Sequence, residues 1–273
     1  MNTYPQLTKE EITDFEGILD LINNFRDEEE QKKFIEKIPC LEGIVYDHGH
    51  IYADTFKIVK HHRYASRKRP TESHPTLKLL DLLDELRTTV TDRIIMDKCN
   101  VGTVDSLLSV NLQFENLTKL DINNTYLTPA EMYQLTDMIH LKNVKFSNCV
   151  INREVDISKH WSQLYNCEDL HLDIRNLKYG QYTNEWFRSY RRTEPCNTMV
   201  LHNLPNNFPV DAFFDYILTS PTCPKHLELI YNNETIIKLE YRFNPCIKKL
   251  TSTFKNQFDV KFTFYSVCIV KKN

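Results

Sequence analysis

Leu141-Lys-Asn-Val144-Lys-Phe146-Ser-Asn-Cys149-Val-Ile151 is the stretch that decides the fold. Its apolar and polar residues alternate, as they do in a strand that buries one face. The spacing L-x-x-V-x-F-x-x-C-x-I directs the apolar side chains into one core and leaves Cys149 to close the turn after the strand. Any half-buried strand alternates in this way, so one copy is weak evidence for a repeat fold. The prediction depends on how often the spacing recurs along the chain.

The same spacing recurs along the chain, with its central apolar residue every 24 to 29 residues. Leucine-rich repeats have a period of about 20–29 residues and this core pattern. We therefore predict an α/β fold in which strand–turn–helix units stack into a leucine-rich-repeat-like curved parallel sheet with helices on its convex side. The aligned central residues are Ile94, Leu120, Val144, Leu170, Met199 and Leu227.

The segments between these strands favour helices. Thr128 is a candidate N-cap, followed by Pro129 in the first turn. The predicted helices cover residues 104–112, 129–139, 154–164, 184–190 and 209–218. A further leucine-rich helix is predicted over residues 76–88, ahead of the regular repeats.

Both ends of the chain depart from the repeat pattern. Helices are predicted over residues 8–24 and 27–37, and residues 41–51 match the repeat spacing less well, as a first repeat strand. After Asn233, residues 235–241 and 260–270 have strand character and are expected to cap the sheet. The predicted domains are residues 1–75, a helical cap with the first strand and a basic loop, and residues 76–273, the repeat domain with its terminal β cap.

The composition of the chain argues against several classes of function. The chain has 273 residues, 34 Lys and Arg against 37 Asp and Glu, and a net charge of −3, which disfavours a dedicated polyanion binder. Five glycines form no phosphate-binding loop, and eight scattered cysteines form no C-x-x-C pair, so neither a nucleotide site nor a zinc finger is indicated. We expect no cofactor, and we read the cysteines, with Met96 and Met199, as core residues.

The sequence also bears on location. The first ten residues lack the basic and apolar regions of a secretory signal, and no stretch approaches the ~18 apolar residues of a membrane span. We expect a soluble cytoplasmic protein without membrane partners, with the nucleus as an alternative location. Residues 60–69 carry a run of Lys and Arg, which is typical of a solvated loop, of a localisation signal or of a nucleic-acid contact.

Three segments resemble the C-terminal region of nematode F-box proteins, namely their F-box-associated and FTH-type domains. The resemblance covers roughly residues 76–245 and consists of apolar spacing together with the helix that contains Trp161. The segments are Leu117-Thr-Lys-Leu-Asp-Ile-Asn-Asn124, residues 141–148 running into Ile157-Ser-Lys-His-Trp161, and Phe213-Phe-Asp-Tyr-Ile-Leu-Thr-Ser220 before His226-Leu-Glu-Leu-Ile230.

This resemblance implies a degenerate leucine-rich-repeat-like fold that holds a protein target. In that family an N-terminal F-box docks on a Skp1-type adaptor of a cullin ubiquitin ligase. Residues 1–40 contain no Leu-Pro-containing F-box helix set. The resemblance therefore implies a non-enzymatic target-recognition module, either of a ubiquitin-ligase substrate receptor or of an F-box-less derivative that acts as a binder or competitor.

The strand pattern predicts which side chains would contact a target. Neighbours along a strand point to opposite faces, so the residues between the core positions are expected on the concave face. Ile95, Thr198, Val200 and Ile230 are the less polar members of that face. The predicted protein-binding residues are Arg93, Asp97, Lys119, Asp121, Asn123, Asn143, Lys145, Ser147, Asp169, His171, Asp173, His202, His226 and Glu228.

The same face contains an alternative chemistry. His171, Asp173 and His202 fall on neighbouring strands about 4.8 Å apart, so these side chains are expected to approach one another. They suggest a metal-dependent hydrolase or acid–base catalysis as the alternative to a binding face. No nucleophile motif accompanies them, so a binding face without a metal is preferred.

Two aromatic and basic features outside the face have both structural and functional interpretations. Trp161 and Trp186 suit an interaction hot spot, but their helical spacing favours the core on the convex side. Arg188, Arg191 and Arg192 suit an acidic partner, but a solvated helix end is the preferred interpretation.

Overall fold

The computed structural model describes residues 41–42, 45–47, 50–59, 88–105, 113–114, 116–138, 140–180, 183–189, 192–218, 223–232, 239–253 and 257–272. The helices predicted within residues 1–40, the basic run 60–69, the predicted domain boundary after residue 75 and nearly all of the helix predicted over 76–88 lie outside these residues. Thr88, the last residue of that helix, instead begins a strand.

The chain forms two compact units. One contains residues 1–95 and 102–117, and the other contains residues 96–101 and 118–273. The strands that begin or lie in the first unit are β1 (Leu41–Glu42), β2 (Val45–Asp47), β3 (His50–Val59), β4 (Thr88–Asp97) and β5 (Gln113–Phe114).

The first unit contains antiparallel pairs. Both β1 and β2 run antiparallel to β3, whereas β5 runs parallel to β4. Ala53, Phe56, Val90 and Ile94 are buried, and the Thr91 hydroxyl donates to the carbonyl of Ala53. The predicted first repeat strand over residues 41–51 is instead divided among β1, β2 and the start of β3, because the chain turns back on itself rather than crossing over in parallel.

The second unit is an α/β structure built on one sheet. Its strand order is β6-β8-β9-β10-β11-β13-β12, and β7 pairs with β8. Its elements are β6 (Lys119–Asn123), β7 (Tyr126–Leu127), α1 (Pro129–Thr136), β8 (Asn143–Asp156), α2 (Ser158–Leu164), β9 (Asp169–Lys178), α3 (Thr183–Ser189), β10 (Thr198–Leu204), α4 (Val210–Ile217), β11 (His226–Tyr231), α5 (Leu239–Thr253), β12 (Phe258–Phe262) and β13 (Ser266–Lys271).

The sheet of the second unit is mostly parallel. Strands β6, β8, β9, β10 and β11 pair in parallel, with a helix between each consecutive pair, and β13 and β12 are then added antiparallel. This confirms the prediction of an α/β fold with a large, mostly parallel sheet and helices. Every strand of that parallel series had been predicted from the repeat spacing.

Local sequence explains where the helices begin. The Thr128 hydroxyl accepts from the N–H of Glu131, and the Glu131 carboxylate accepts from the N–H of Thr128, so α1 starts with a capping box followed by Pro129. Helix α2 starts later than predicted, at Ser158, because β8 continues to Asp156 in register with β9. The Asp156 carboxylate then accepts from the N–H of Ser158.

The C-terminal region contains a helix where a strand was predicted. Helix α5 begins at Leu239, within the predicted strand 235–241, whose first four residues lie outside the described part of the chain. Phe243, Cys246 and Leu250 are buried from this helix at a spacing of three and four residues, a helical period that the strand prediction missed. The predicted strand 260–270 is a hairpin, β12 and β13.

An aromatic cluster fills the core beneath the helices. The ring centroids of Trp161 and Phe187 lie 5.1 Å apart, and those of Phe187 and Phe213 also lie 5.1 Å apart, both in edge-on geometry. Tyr216 stacks on Phe187, and Phe208 packs edge-on against Tyr179. Trp161 is 1% exposed, which confirms its assignment to the core. Met96 and Met199 are also buried, as predicted.

Arg192 contradicts the prediction of a solvated helix end. Its residue is 4% exposed, and its guanidinium donates to the carbonyls of Tyr165 and Cys167 at 2.6 Å and of Pro195 at 3.3 Å. Tyr165 is the C-cap of α2, where carbonyls lack helical partners and carry partial negative charge. The buried cation therefore satisfies the end of a helix and holds it to the loop before β10.

His160 on α2 is buried, and among the described residues no carboxylate lies within ion-pair distance of it. It is 2% exposed, and its Nδ1 lies 3.2 Å from the Thr136 hydroxyl. That hydroxyl donates to carbonyls of its own helix, so Nδ1 is the donor in this contact. Burial, aided by the charge of Lys159, lowers the pKa of His160 to about 4.

Acidification is expected to destabilise the fold through His160. Below the unfolded pKa of about 6.5 the unfolded chain binds a proton that the folded chain excludes, so stability falls as the pH drops from about 6.5 through 4. Urea denaturation at pH 7 and pH 4.5 should show a contribution of about 2–3 kcal/mol from this residue. The control His160→Asn keeps a donor near the Nδ1 position and should lose less stability over that interval. Equal losses in both proteins would contradict the assignment.

Candidate functional site

The parallel strands of the second unit present one polar face. In β6, Leu120 and Ile122 are buried while the residues beside them remain partly exposed, and the other strands alternate in the same way. We call this surface the polar sheet face. Its residues are Lys119, Asp121, Asn123, Asn143, Lys145, Ser147, Asp169, His171, Asp173, Thr198, Val200, His202, His226, Glu228 and Ile230.

The strand register arranges these side chains in rows. The middle row runs across five neighbouring strands through Asp121, Lys145, His171, Val200 and Glu228, each paired with the next. Adjacent members are separated by the strand spacing of about 4.8 Å. Val200 is the buried member of this row, at 6% exposure, and the longer side chains of His171 and Glu228 lie on either side of it.

A second row lies one pleat towards the start of the strands. It consists of Lys119, Asn143, Asp169, Thr198 and His226, again in continuous register. The predicted residues in these two rows therefore lie side by side across the five parallel strands.

Most carboxylates on the face have partners within the face. Asp121 accepts from the Asn123 amide at 2.8 Å. Asp173 accepts from the N–H of Asn148 at 2.9 Å and lies 3.5 Å from Nδ1 of His202. These carboxylates are therefore held in place, which makes the face a fixed pattern of charge.

Lys145 differs from those carboxylates. Its side chain is exposed in the middle row, and within the described part of the chain no carboxylate lies within ion-pair distance of it. It stands between Asp121 and His171 in the register. Lys145 is thus the cation on this face that is most accessible to a partner.

Three histidines occupy the other half of the face. The rings of His171 and His202 lie 5.2 Å apart, and His226 Nε2 lies 3.7 Å from a Glu228 carboxylate oxygen. Burial lowers the pKa of His171, and the neighbouring His202 lowers it further, against the opposing effect of Asp173. His171 therefore favours its neutral form near pH 7.

The predicted approach of His171, Asp173 and His202 is confirmed, but the group does not make a metal site. Within the described ranges, no three His, Cys, Asp or Glu side chains are arranged to hold a metal ion. Both Asp173 oxygens already face internal partners, Asn148 and His202. The alternative of a metal-dependent hydrolase thus lacks a ligand set in this part of the chain.

The residues predicted on β4 fall in both units. Arg93 and Ile95 belong to the first unit, whereas Asp97 belongs to the second. The Asp97 carboxylate accepts from the Asn124 side-chain amide at 2.8 Å. Asp97 therefore interacts with the turn after β6.

A set of asparagines was missed by the repeat alignment. Their backbones are left-handed, with φ of 50° at Asn124, 51° at Asn148, 69° at Asn176 and 59° at Asn203. Asparagine adopts this conformation more readily than other side chains except glycine. We call these four residues the asparagine ladder.

The side-chain amides of the asparagine ladder reach the preceding strand or the residue that follows it. Asn148 donates to the Asn124 side-chain carbonyl at 2.8 Å, Asn176 donates to the Ile151 carbonyl at 2.7 Å, and Asn203 donates to the Ile174 carbonyl at 3.3 Å. The signal in the sequence is an asparagine beside the position that the repeat alignment assigns to the turn, as in Asn148-Cys149. These bonds tie each strand to the one before it at the places where the strand register shifts.

Cys149, which was predicted to close the turn after its strand, instead lies inside β8 and is structural. Cys149 is buried, and its thiol donates to the carbonyl of Ile122 at 3.3 Å. Burial raises the pKa of Cys149 to about 11 and that of Cys167 to about 12, so neither forms a thiolate near neutral pH. This agrees with the interpretation of these cysteines as small buried residues.

Two remaining expectations from the sequence concern the basic run and the absence of a membrane span. The basic run 60–69, with its localisation and nucleic-acid interpretations, lies outside them. None of the helices in the described ranges combines the length and apolar composition needed to cross a membrane.

Comparison with protein-family models gave no match, and comparison with curated proteins gave no significant match.

Substitution of Asn148 should separate its two structural roles. Asn148→Gly keeps the left-handed backbone and loses only the amide bond to Asn124, at a cost of about 1 kcal/mol. Asn148→Ala loses the same bond and also places an alanine in the left-handed conformation, so it should lower the free energy of unfolding by about 2–3 kcal/mol. Urea denaturation measures both. If the glycine variant is as unstable as the alanine variant, the left-handed turn is not what selects asparagine here.

Proposed function

We propose that this chain is a non-enzymatic protein-interaction module whose polar sheet face holds a protein target. The observation that carries the proposal is the middle row of the face, in which side chains from five neighbouring strands stand in continuous register. Such a row presents one residue every ~4.8 Å from strand to strand across the sheet. A protein partner is bound through many side chains spread over a surface, and it does not require one deep pocket.

The charge of the face supports recognition of a protein surface. Asp173 and Glu228 each lie against a histidine, and Asp121 accepts from an amide, so these groups need little rearrangement when a partner covers them. Lys145 remains exposed among them. Mixed charges in fixed positions contribute more to selecting and orienting a partner than to raw affinity.

We further propose that the second unit is leucine-rich-repeat-like, with a curved sheet whose concave side is the polar sheet face. The parallel pairing, the buried core positions and the asparagine ladder support this interpretation. The hairpin β12–β13 would then be the terminal β cap.

The target-recognition role is of the kind used by F-box substrate receptors of cullin ubiquitin ligases, or by an F-box-less derivative that binds or competes. This part of the proposal depends on the resemblance of residues 76–245 to nematode F-box-associated and FTH-type domains. Residues 1–40, where a Skp1-type adaptor would dock, lie outside the described part of the chain. Adaptor binding is therefore a separate question from target binding by the face.

Reversal of charge at Lys145 should weaken target binding. Tagged wild-type chain, Lys145→Glu and the control Lys248→Glu would be used to capture partners from lysate, with quantitation by mass spectrometry. Lys248 is an exposed lysine on α5, so its reversal changes the net charge equally without touching the face. A target of the face should be recovered about tenfold less with Lys145→Glu and unchanged with Lys248→Glu.

The other outcomes are equally informative. If the two variants lose the same proteins to the same extent, net charge rather than the face governs capture, and the proposal is wrong. If both variants recover every partner of the wild type, the face is not the binding surface. A Skp1-type adaptor retained by both variants would indicate coupling to a ligase through residues outside the face.

A further inference from the structure

The second unit ends in an edge strand. β12 is bonded to β13 on one side, and within the described ranges no strand lies along its other side. An open edge presents N–H and C=O groups in the spacing that another strand requires. The outward groups and side chains of β12 determine which strand can pair with this edge.

The hairpin bonds determine which groups of β12 point outward. The N–H of Thr263 donates to the carbonyl of Ser266 at 2.9 Å, and the N–H of Lys272 donates to the carbonyl of Gln257 at 2.7 Å. In an antiparallel pair, backbone groups point to alternate sides along the strand. Because Gln257 and Thr263 point towards β13, Val260 and Phe262 direct their N–H and C=O to the outer edge.

The side chains of β12 are self-complementary about Val260. Asp259 and Lys261 flank it, are exposed and lie on the same side of the strand, and Asp259 also lies 3.1 Å from Lys272 Nζ of its own hairpin. If an identical strand lies antiparallel with Val260 opposite Val260, then Asp259 of each copy faces Lys261 of the other. On the opposite side of the strand, Phe262 of each copy falls beside Phe258 of the other.

We propose that β12 pairs antiparallel with β12 of a second copy, about a two-fold axis at Val260. The Val260 pair contributes two backbone hydrogen bonds, because both of its outward groups meet their counterparts. The two Asp259–Lys261 pairs add opposite charges directly across the strands, which stabilises a strand pair, whereas like charges would oppose it.

Charged residues on an edge strand usually discourage association. Here the two charges are opposite in sign and symmetric about Val260, so they favour this one self-pairing register. A shift of two residues along the strand would remove the match, because neither Lys261 nor Asp259 would then face its complement. The charges therefore specify the register of the pair as well as permitting it.

The interface is small, so the dimer should be weak and concentration-dependent. It is also separate from the proposed target site, because Lys145 lies on β8 and is remote in strand order from β12. Loss of one function should leave the other intact.

Sedimentation equilibrium of the full chain over a range of concentrations tests the proposal. The wild type should shift from its monomer mass of 32.4 kDa towards twice that value as concentration rises. Val260→Pro removes the outward N–H without removing a bond to β13, so it should keep the fold and abolish the shift. Circular dichroism and thermal unfolding verify that the fold is kept.

A charge reversal gives a second and independent readout. Lys261→Asp places two carboxylates opposite each other and should abolish the dimer. A wild type that stays monomeric at every concentration overturns the proposal. So does a dimer that persists in both Val260→Pro and Lys261→Asp. If Val260→Pro does not fold, the charge variant decides the matter.

Discussion

The hydrogen bonds of the asparagine ladder are the constraint on which the rest of the second unit depends. Asn124 directly follows β6, and the other three asparagines are left-handed residues within β8, β9 and β10. The amides of these three bond to the preceding strand or to the residue that follows it. A side chain bonded to the neighbouring strand fixes the position of one strand relative to the next. Since a shift of one residue would move every core side chain to the opposite face, this register is what keeps leucines inside and polar residues outside.

The packing beneath the sheet reinforces the same register from the helix side. Trp161, Phe187 and Tyr216 come from three different helices and pack around one another. Arg192 bonds the end of α2 to the loop that leads into β10 through the carbonyls of Tyr165, Cys167 and Pro195. A buried cation held by carbonyls tolerates little displacement, because its charge is costly wherever those carbonyls are absent. Helices and turns thus constrain the strands from both sides.

Much of this architecture could be predicted, because apolar spacing is set by burial and burial is set by the fold. The central core residues Leu120, Val144 and Leu170 predicted both the parallel strands and which side chains share a face. Thr128 with Pro129 predicted the start of α1, because capping chemistry is local. The convergence of His171 and His202 followed from the same alignment.

What escaped prediction depends on contacts that are distant in sequence. Arg192 looks like a solvated basic residue until the helix end that it satisfies is brought beside it. Residues 239–241 continue an alternating pattern, yet the buried positions Phe243 and Cys246 draw them into α5. The asparagines carry no hydrophobic signal, so an alignment of apolar positions passes over them. In each case the missing information was a partner elsewhere in the chain.

Site-specific photo-crosslinking would show whether the rows on the polar sheet face form one binding surface. A photoreactive residue would be placed singly at positions 121, 145 and 171, which share the middle row, and at position 248 on α5 as the control. We expect the three row positions to crosslink to the same partner protein and position 248 to give no such crosslink. Crosslinks to that partner from position 248, with none from the row, would contradict the proposed binding surface.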